Sequence, residues 1–181
     1  DGAREYSQNI DRMIGKNLYP VLAAGYASQH FMTVGGNAAQ GDEGGLFVAI
    51  GATAALNSTP GMLAYGISKA AAHHFVRTVG DSTGKAITSK SKRKMSRQLR
   101  GPGSYLSELT VVGILPVTID TEANRKAMPT ADFNEWTKPI DIAREIGVWL
   151  HNPSLRPHSG SLVKVHPKKN GDSGAEFRVA R

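Results

Sequence analysis

Residues 44–50, Gly-Gly-Leu-Phe-Val-Ala-Ile, are apolar without alternation. A strand with one face in water alternates apolar and polar side chains, so a continuous run predicts a strand covered on both faces. A second such run, Glu-Leu-Thr-Val-Val-Gly-Ile-Leu, occupies 108–115. Between them, residues 62–80 predict a helix that is apolar nearly all round. Leu63, Ile67 and Ala70 make one stripe and Ala64, Ala71, Phe75 and Val79 another. A helix apolar on every side must be buried, so one face is expected on the sheet and the other against a second copy of the chain. Covered strands joined by such a helix are what an open α/β sheet requires.

Tyr65 and Lys69 lie at the start of that helix, four residues apart. Positions i and i+4 share a helix face. An ammonium beside a phenol favours phenolate, so Lys69 is expected to draw the Tyr65 pKa down towards neutral pH and make it a proton donor or acceptor. The spacing alone is equally that of an ordinary helix with a solvated lysine. What singles it out is context: the 44–50 strand stops at Gly51-Ala52-Thr53, and Pro60-Gly61-Met62 leads into Tyr65-Gly66-Ile67-Ser68-Lys69.

This order of strand, loop and Tyr-x-x-Ser-Lys helix resembles the short-chain dehydrogenase/reductase superfamily. Further segments resemble its dihydropteridine reductase family. They are Gly44-Gly45-Leu46, Gly51-Ala52 through Leu56, Thr59 through Tyr65-Gly66, Leu115-Pro116-Val117-Thr118-Ile119-Asp120-Thr121, Asn124 through Thr137, and Ser159-Gly160-Ser161-Leu162. They cover most of 44–80 and 108–166.

The resemblance implies a Rossmann-like doubly wound parallel sheet and NADH-dependent reduction of quinonoid dihydropterin to tetrahydropterin, NADPH being possible instead. It implies that Tyr65 is catalytic, that Lys69 both tunes it and binds the nicotinamide ribose, and that Asn17, in Met13-Ile14-Gly15-Lys16-Asn17-Leu18, supports the lysine through water. The other reading of Asn17 is satisfaction of local backbone. Pro116, Thr118, Ile119 and Thr121 turn over the end of the second strand, where ligands bind in open α/β sheets. By resemblance, backbone near Ile119 and the hydroxyl of Thr118 or Thr121 hold the nicotinamide carboxamide; the alternative is a Pro-anchored turn capping the strand. Where the superfamily usually carries a serine ahead of the tyrosine, this chain has Ala52. That departure favours a pterin over an alcohol or ketone. The segment 124–137 is expected as a lid over the pterin.

The same fold opens on a strand, a Gly-rich turn and a helix whose N-terminus cradles pyrophosphate. No such turn follows an apolar strand here. The expectation is therefore one partial domain over 1–181, the C-terminal two-thirds of the fold. The nucleotide cradle would then be missing or carried on a separate chain. Residues 4–30 predict one long helix, kinked or locally irregular at Pro20 inside it. Helices 4–30 and 62–80 are the expected homodimer surface. Downstream, Thr137 is expected to cap a helix with Pro139 in its first turn and Ile142, Ile146, Trp149 and Leu150 on its apolar side. Leu162–Val165 is expected as the final strand, and the tail from Pro167 to Gly174 has no core-forming pattern.

Composition narrows the rest. Of the net charge of +7, Lys85, Lys90, Lys92, Arg93, Lys94, Arg97 and Arg100 supply seven with no acid between them; the remaining 15 basic residues balance 15 acidic ones. The chain reads as a near-neutral globule with a basic insert at 81–104, a solvated loop or a patch for an anionic surface. The insert lacks interleaved aromatics for base stacking, so nucleic acid is not the expected partner. A non-catalytic dinucleotide-binding scaffold using that insert is the rival class. A short-chain reductase of another imine or carbonyl is the nearer alternative. The absence of cysteine excludes thiolate chemistry and fits a reducing compartment. With no basic-apolar leader visible and no apolar run of membrane-spanning length, a cytoplasmic location is expected. The adjacent His73 and His74 point in different directions and read as packing or surface residues, so no metal site is expected.

Overall fold

The computed structural model describes residues 2–32, 44–84, 109–168 and 174–180. Its elements, in order, are α1 (Gly2–Asn17), α2 (Tyr19–Phe31), β1 (Leu46–Ile50), α3 (Leu63–Gly84), β2 (Thr110–Pro116), α4 (Glu122–Ala127), α5 (Pro139–His151), β3 (Leu162–Pro167) and β4 (Ala175–Val179). The four strands form one sheet in the order β1-β2-β3-β4. β1 pairs with β2 and β2 with β3 in parallel, Leu46 opposite Thr110 and Gly113 opposite Leu162. β4 pairs antiparallel with β3, Val163 opposite Val179.

β2 is the spine. Every residue from Val111 to Pro116 is buried, as its unbroken apolar run requires. Its side chains alternate between two cores. Val111 and Leu115 pack with Phe47, Ala49, Val76 and Val79, the last two from α3. Val112 and Ile114 pack with Ile142, Trp149, Val163 and Val165. Helices therefore cover both faces, which makes the sheet doubly wound. β1 is less enclosed: Phe47 and Ala49 are buried, Leu46 and Val48 half-buried, and Ile50 exposed.

Several sequence expectations change. The single helix over 4–30 is two helices: the break falls at Leu18, with Pro20 in the first turn of α2, where its missing N–H costs nothing. Leu162–Val165 is not the final strand, because β4 follows it. Thr137 does not cap α5. Lys138 stands at the cap with no side-chain bond. The main chain of Thr137 instead bridges to Ile119, leaving the buried Thr137 hydroxyl without a partner among the described residues. Ile142 and Trp149 are buried, but Leu150 is exposed. On α3, Ala64 and Val79 are buried whereas Leu63 and Ile67 are each half exposed. α3 also runs to Gly84, so the insert expected at 81–104 starts inside a helix; from residue 85 it lies outside the described residues. Among the described residues, no helix is long and apolar enough to cross a membrane. No cluster of His, Cys, Asp or Glu there could hold a metal.

α3 crosses the turn before β3 closely enough that backbone meets backbone. A side chain at Gly80 would collide with the N and Cα of Gly160, which itself has φ of +88°. Glycine at both positions lets the helix lie on the sheet.

Candidate active site at the carboxyl end of the sheet

The parallel strands end at Ile50 and Pro116, and the chain there is held by α3. The loop after β1 is fixed at consecutive residues. Lys69 Nζ donates to Ile50 O at 2.8 Å, and Gly51 N donates to Ile114 O at 2.7 Å. Ala52 N donates to His73 Nε2 at 3.2 Å, and Thr53 Oγ1 donates to Pro116 O at 3.1 Å. Lys69 and His73 are successive turns of one helix face, so a single helix grips two peptide units of the loop.

Tyr65 stands one turn before Lys69. It lines an open cleft of about 490 Å³ between α1 and the turn leading into α3, with Tyr6, Asn9, Met13 and Met62 on its walls. Burial raises the Tyr65 pKa above its ordinary value, and burial lowers that of Lys69. This corrects the expectation that the lysine draws the phenol down. The ammonium is committed to the Ile50 carbonyl, and desolvation is what governs the phenol. Among the described residues the half-buried lysine bonds a neutral acceptor, the Ile50 carbonyl.

Asn17, the last residue of α1, donates through Nδ2 to Ser68 Oγ at 3.0 Å. Ser68 is fully buried and donates in turn to Tyr65 O at 2.7 Å. Asn17 thereby ties α1 to the turn of α3 between Tyr65 and Lys69. Ser68, within the Tyr-x-x-Ser-Lys motif, is the residue the sequence reading passed over.

The loop after β2 is braced from its other side. Thr137 N donates to Thr118 O and Asp120 N to Thr137 O, each at 2.8 Å. The Thr121 hydroxyl caps α4 by accepting from Asn124 N at 3.2 Å. Asn124 Nδ2 donates to Ile119 O at 2.8 Å. Arg125 forms a paired bond with Asp120 at 2.6 and 2.8 Å and sits 4.5 Å over the Phe133 ring. Asp120 is held below the usual carboxylate range, chiefly by that hydrogen bond. Pro116 thus joins the Tyr65–Lys69 neighbourhood through Thr53. Ile119 O, Thr118 O and the Thr121 hydroxyl are engaged in holding the loop's own shape. The segment expected as a lid is α4 followed by a turn in which Phe133 packs on buried Trp136, ring centroids 4.7 Å apart.

His73 is the other residue whose importance the sequence hid. It is 5% exposed, and its pKa is pushed down to about 4, first by burial and then by the cations of Arg77 and Lys69. The ring is neutral at ordinary pH, as an acceptor for Ala52 N–H must be.

No family model matches the chain. A curated relative, dihydropteridine reductase of Dictyostelium discoideum, is 35% identical over 164 residues, which is 91% of this chain and 59% of that protein. The chain spans a little under three-fifths of the length of that relative. Among solved structures, a short-chain type dehydrogenase/reductase from Mycobacterium ulcerans superposes with a TM-score of 0.61 at 19% identity, over 87% of this chain and 50% of its own. A 4-hydroxyisoleucine dehydrogenase complexed with NADH gives 0.52 at 18% identity, over 86% of this chain and 56% of its own. At those identities the structural likeness shows the fold, Rossmann-like, as the sequence implies. The resemblance read from the Tyr65–Lys69 motif and the flanking segments is borne out by the curated relative.

Proposed function

We propose that this chain carries the proton-handling part of an NAD(P)H-dependent reductase whose substrate is a quinonoid dihydropterin. The observation that carries the proposal is the placement of Tyr65 on an open cleft with Lys69 one turn behind it, under the loop that ends β1. The likeness to a dihydropteridine reductase supports the choice of substrate.

A reduced nicotinamide, when bound, supplies hydride. The residues present fit such a group. Lys69 offers an ammonium whose partner among the described residues is a carbonyl, and the chain around Pro116 ends a parallel strand where dinucleotides bind in this fold class. Lys69 would hold ribose hydroxyls, and peptide groups of 116–121 would orient the carboxamide. The bonds that already engage Ile119 O and Thr118 O assign the loop's shape to them. Tyr65 would hold or deliver the proton at the pterin. The Tyr65 pKa, raised by burial, keeps the phenol protonated and suits a donor. Ala52 puts a methyl where a serine would bind a carbonyl, which suits a substrate with no ketone at the reacting centre. A second copy of the chain would lie over the half-exposed Leu63 and Ile67.

The test is consumption of reduced nicotinamide with quinonoid dihydropterin, NADH and NADPH side by side, against a panel of ketones and imines. Turnover confined to the pterin supports the proposal. Activity on a carbonyl or another imine without the pterin would replace it with a different short-chain reduction.

A further inference from the structure

The reactive pair accounts for Tyr65 and Lys69, and Asn17 and Ser68 brace them, but nothing so far accounts for a buried histidine at the same level of α3. Four observations meet at His73. Its Nε2 accepts the main-chain N–H of Ala52. The residue before, Gly51, leaves the space that the imidazole occupies: any side chain there would run into Nε2 and Cδ2. One turn earlier on the same face, Lys69 bonds Ile50 O. One residue further along the loop, Thr53 bonds the end of β2.

We infer that His73 is a positioning residue for this reductase site: its ring fixes the peptide at Ala52, and through it the loop that lies between Lys69 and the end of β2. The inference rests on the reductase reading for its consequence, though not for its geometry. The Thr53 hydroxyl ties the loop to the end of β2, but Ala52, with only a methyl, has no side-chain bond to hold its own peptide. The histidine holds that peptide from behind, by accepting the Ala52 N–H. Because that bond uses a ring lone pair, it exists only for neutral imidazole, with the ring proton on Nδ1. The groups whose charge bears on the ring are Arg77 and Lys69, both cations on its own helix, and both favour the neutral form. His73 touches neither reacting group in this reading. It acts by keeping Ile50 O and the Ala52 peptide in register with Lys69.

Two substitutions separate positioning from packing. His73→Leu fills the space but leaves the Ala52 N–H unpaired. His73→Gln places an amide oxygen near the position of Nε2 and restores an acceptor that cannot titrate. In the intact protein, His73→Leu is expected to lower kcat roughly 10–100-fold while the NADH dissociation constant moves less than about threefold, and His73→Gln to recover most of the loss. Independently of any activity, amide hydrogen exchange at Ala52 should quicken in His73→Leu and stay protected in His73→Gln. Ala52 protection unchanged in His73→Leu, or Gln behaving as Leu does while both fold, would overturn the inference. If the unsubstituted protein reduces no pterin, the function proposed above fails, and the exchange measurement still decides whether His73 holds the loop.

Discussion

The Lys69 ammonium lies 2.8 Å from the carbonyl oxygen of Ile50, so the cation that the Tyr-x-x-Ser-Lys spacing assigns to the phenol is bonded to the end of β1 instead. The local field at Tyr65 is that of a half-buried hydroxyl. Its pKa should therefore stand above the ordinary tyrosine value in the chain without nicotinamide. An ultraviolet pH titration, taken as the difference between unsubstituted protein and Tyr65→Phe, measures it. A downward shift that disappears in Lys69→Met would show the ammonium acting on the phenol after all.

Tyr65→Phe removes the proton donor without emptying the cleft. Turnover of quinonoid dihydropterin should fall by roughly 10²–10⁴, with binding of reduced nicotinamide largely kept. Near-unaltered turnover would take the proton-transfer role away from Tyr65.

His73 makes stability depend on pH. Its folded pKa, about 4, is below the ordinary 6.5, so the unfolded chain binds the extra proton first as the pH falls. The contribution is complete above the unfolded value and is lost progressively from about 6.5 down to about 4. The whole effect is of the order of 3 kcal/mol. His73→Gln should flatten that part of the curve relative to the unsubstituted protein in urea unfolding at a series of pH values. Equal slopes for the two would mean that the histidine titrates normally.

Gly80→Ala should be costly for an added methyl. The atoms it would meet are the backbone N and Cα of Gly160, which cannot rotate away. A loss of at least about 1–3 kcal/mol is expected from overpacking. By contrast, Gly147→Ala on α5 meets nothing within 4 Å and should be neutral or stabilising. Thermal unfolding of the pair separates crowding from helix propensity.

Trp149 is 2% exposed and meets Phe177 of β4 edge-to-face, ring centroids 6.3 Å apart. Trp149→Ala should cost about 3–5 kcal/mol. Phe177→Ala should cost less, because β4 lies on the sheet's margin and its ring is only half-buried. The order would be reversed if β4 carried the packing of that face.

β1, β2 and the helix between them were legible because β2 is buried on both faces and β1 is packed from both sides, and such strands write themselves as continuous apolar runs. β4 was legible in principle: Ala175, Phe177 and Val179 alternate with Glu176 and Arg178, the period of a strand with one wet face. The Gly- and Lys-rich stretch before it masked that signal. Thr137 has the chemistry of a cap, and only its bridge to Ile119 shows why it is not one. At the site, the positions of Tyr65 and Lys69 follow from helical spacing. The electrostatic consequence did not, because a flexible side chain chooses its partner from tertiary neighbours. The bond between His73 and Ala52 joins residues 21 apart in sequence, and no local pattern encodes it.

The reversal of direction at β4 has a consequence for tolerance of substitution. β3 runs parallel to β2 and ends at Pro167; β4 starts at Ala175 and runs back, so Lys168 and Gly174, joined by Lys168 N to Gly174 O, stand on the same rim of the sheet as Ile50 and Pro116. Two strand spacings, about 10 Å, separate β4 from β2. Lys168, exposed and outside both cores, can therefore be changed at little cost to folding, whereas Gly174 on the facing flank, at φ of +108°, cannot take a side chain without strain.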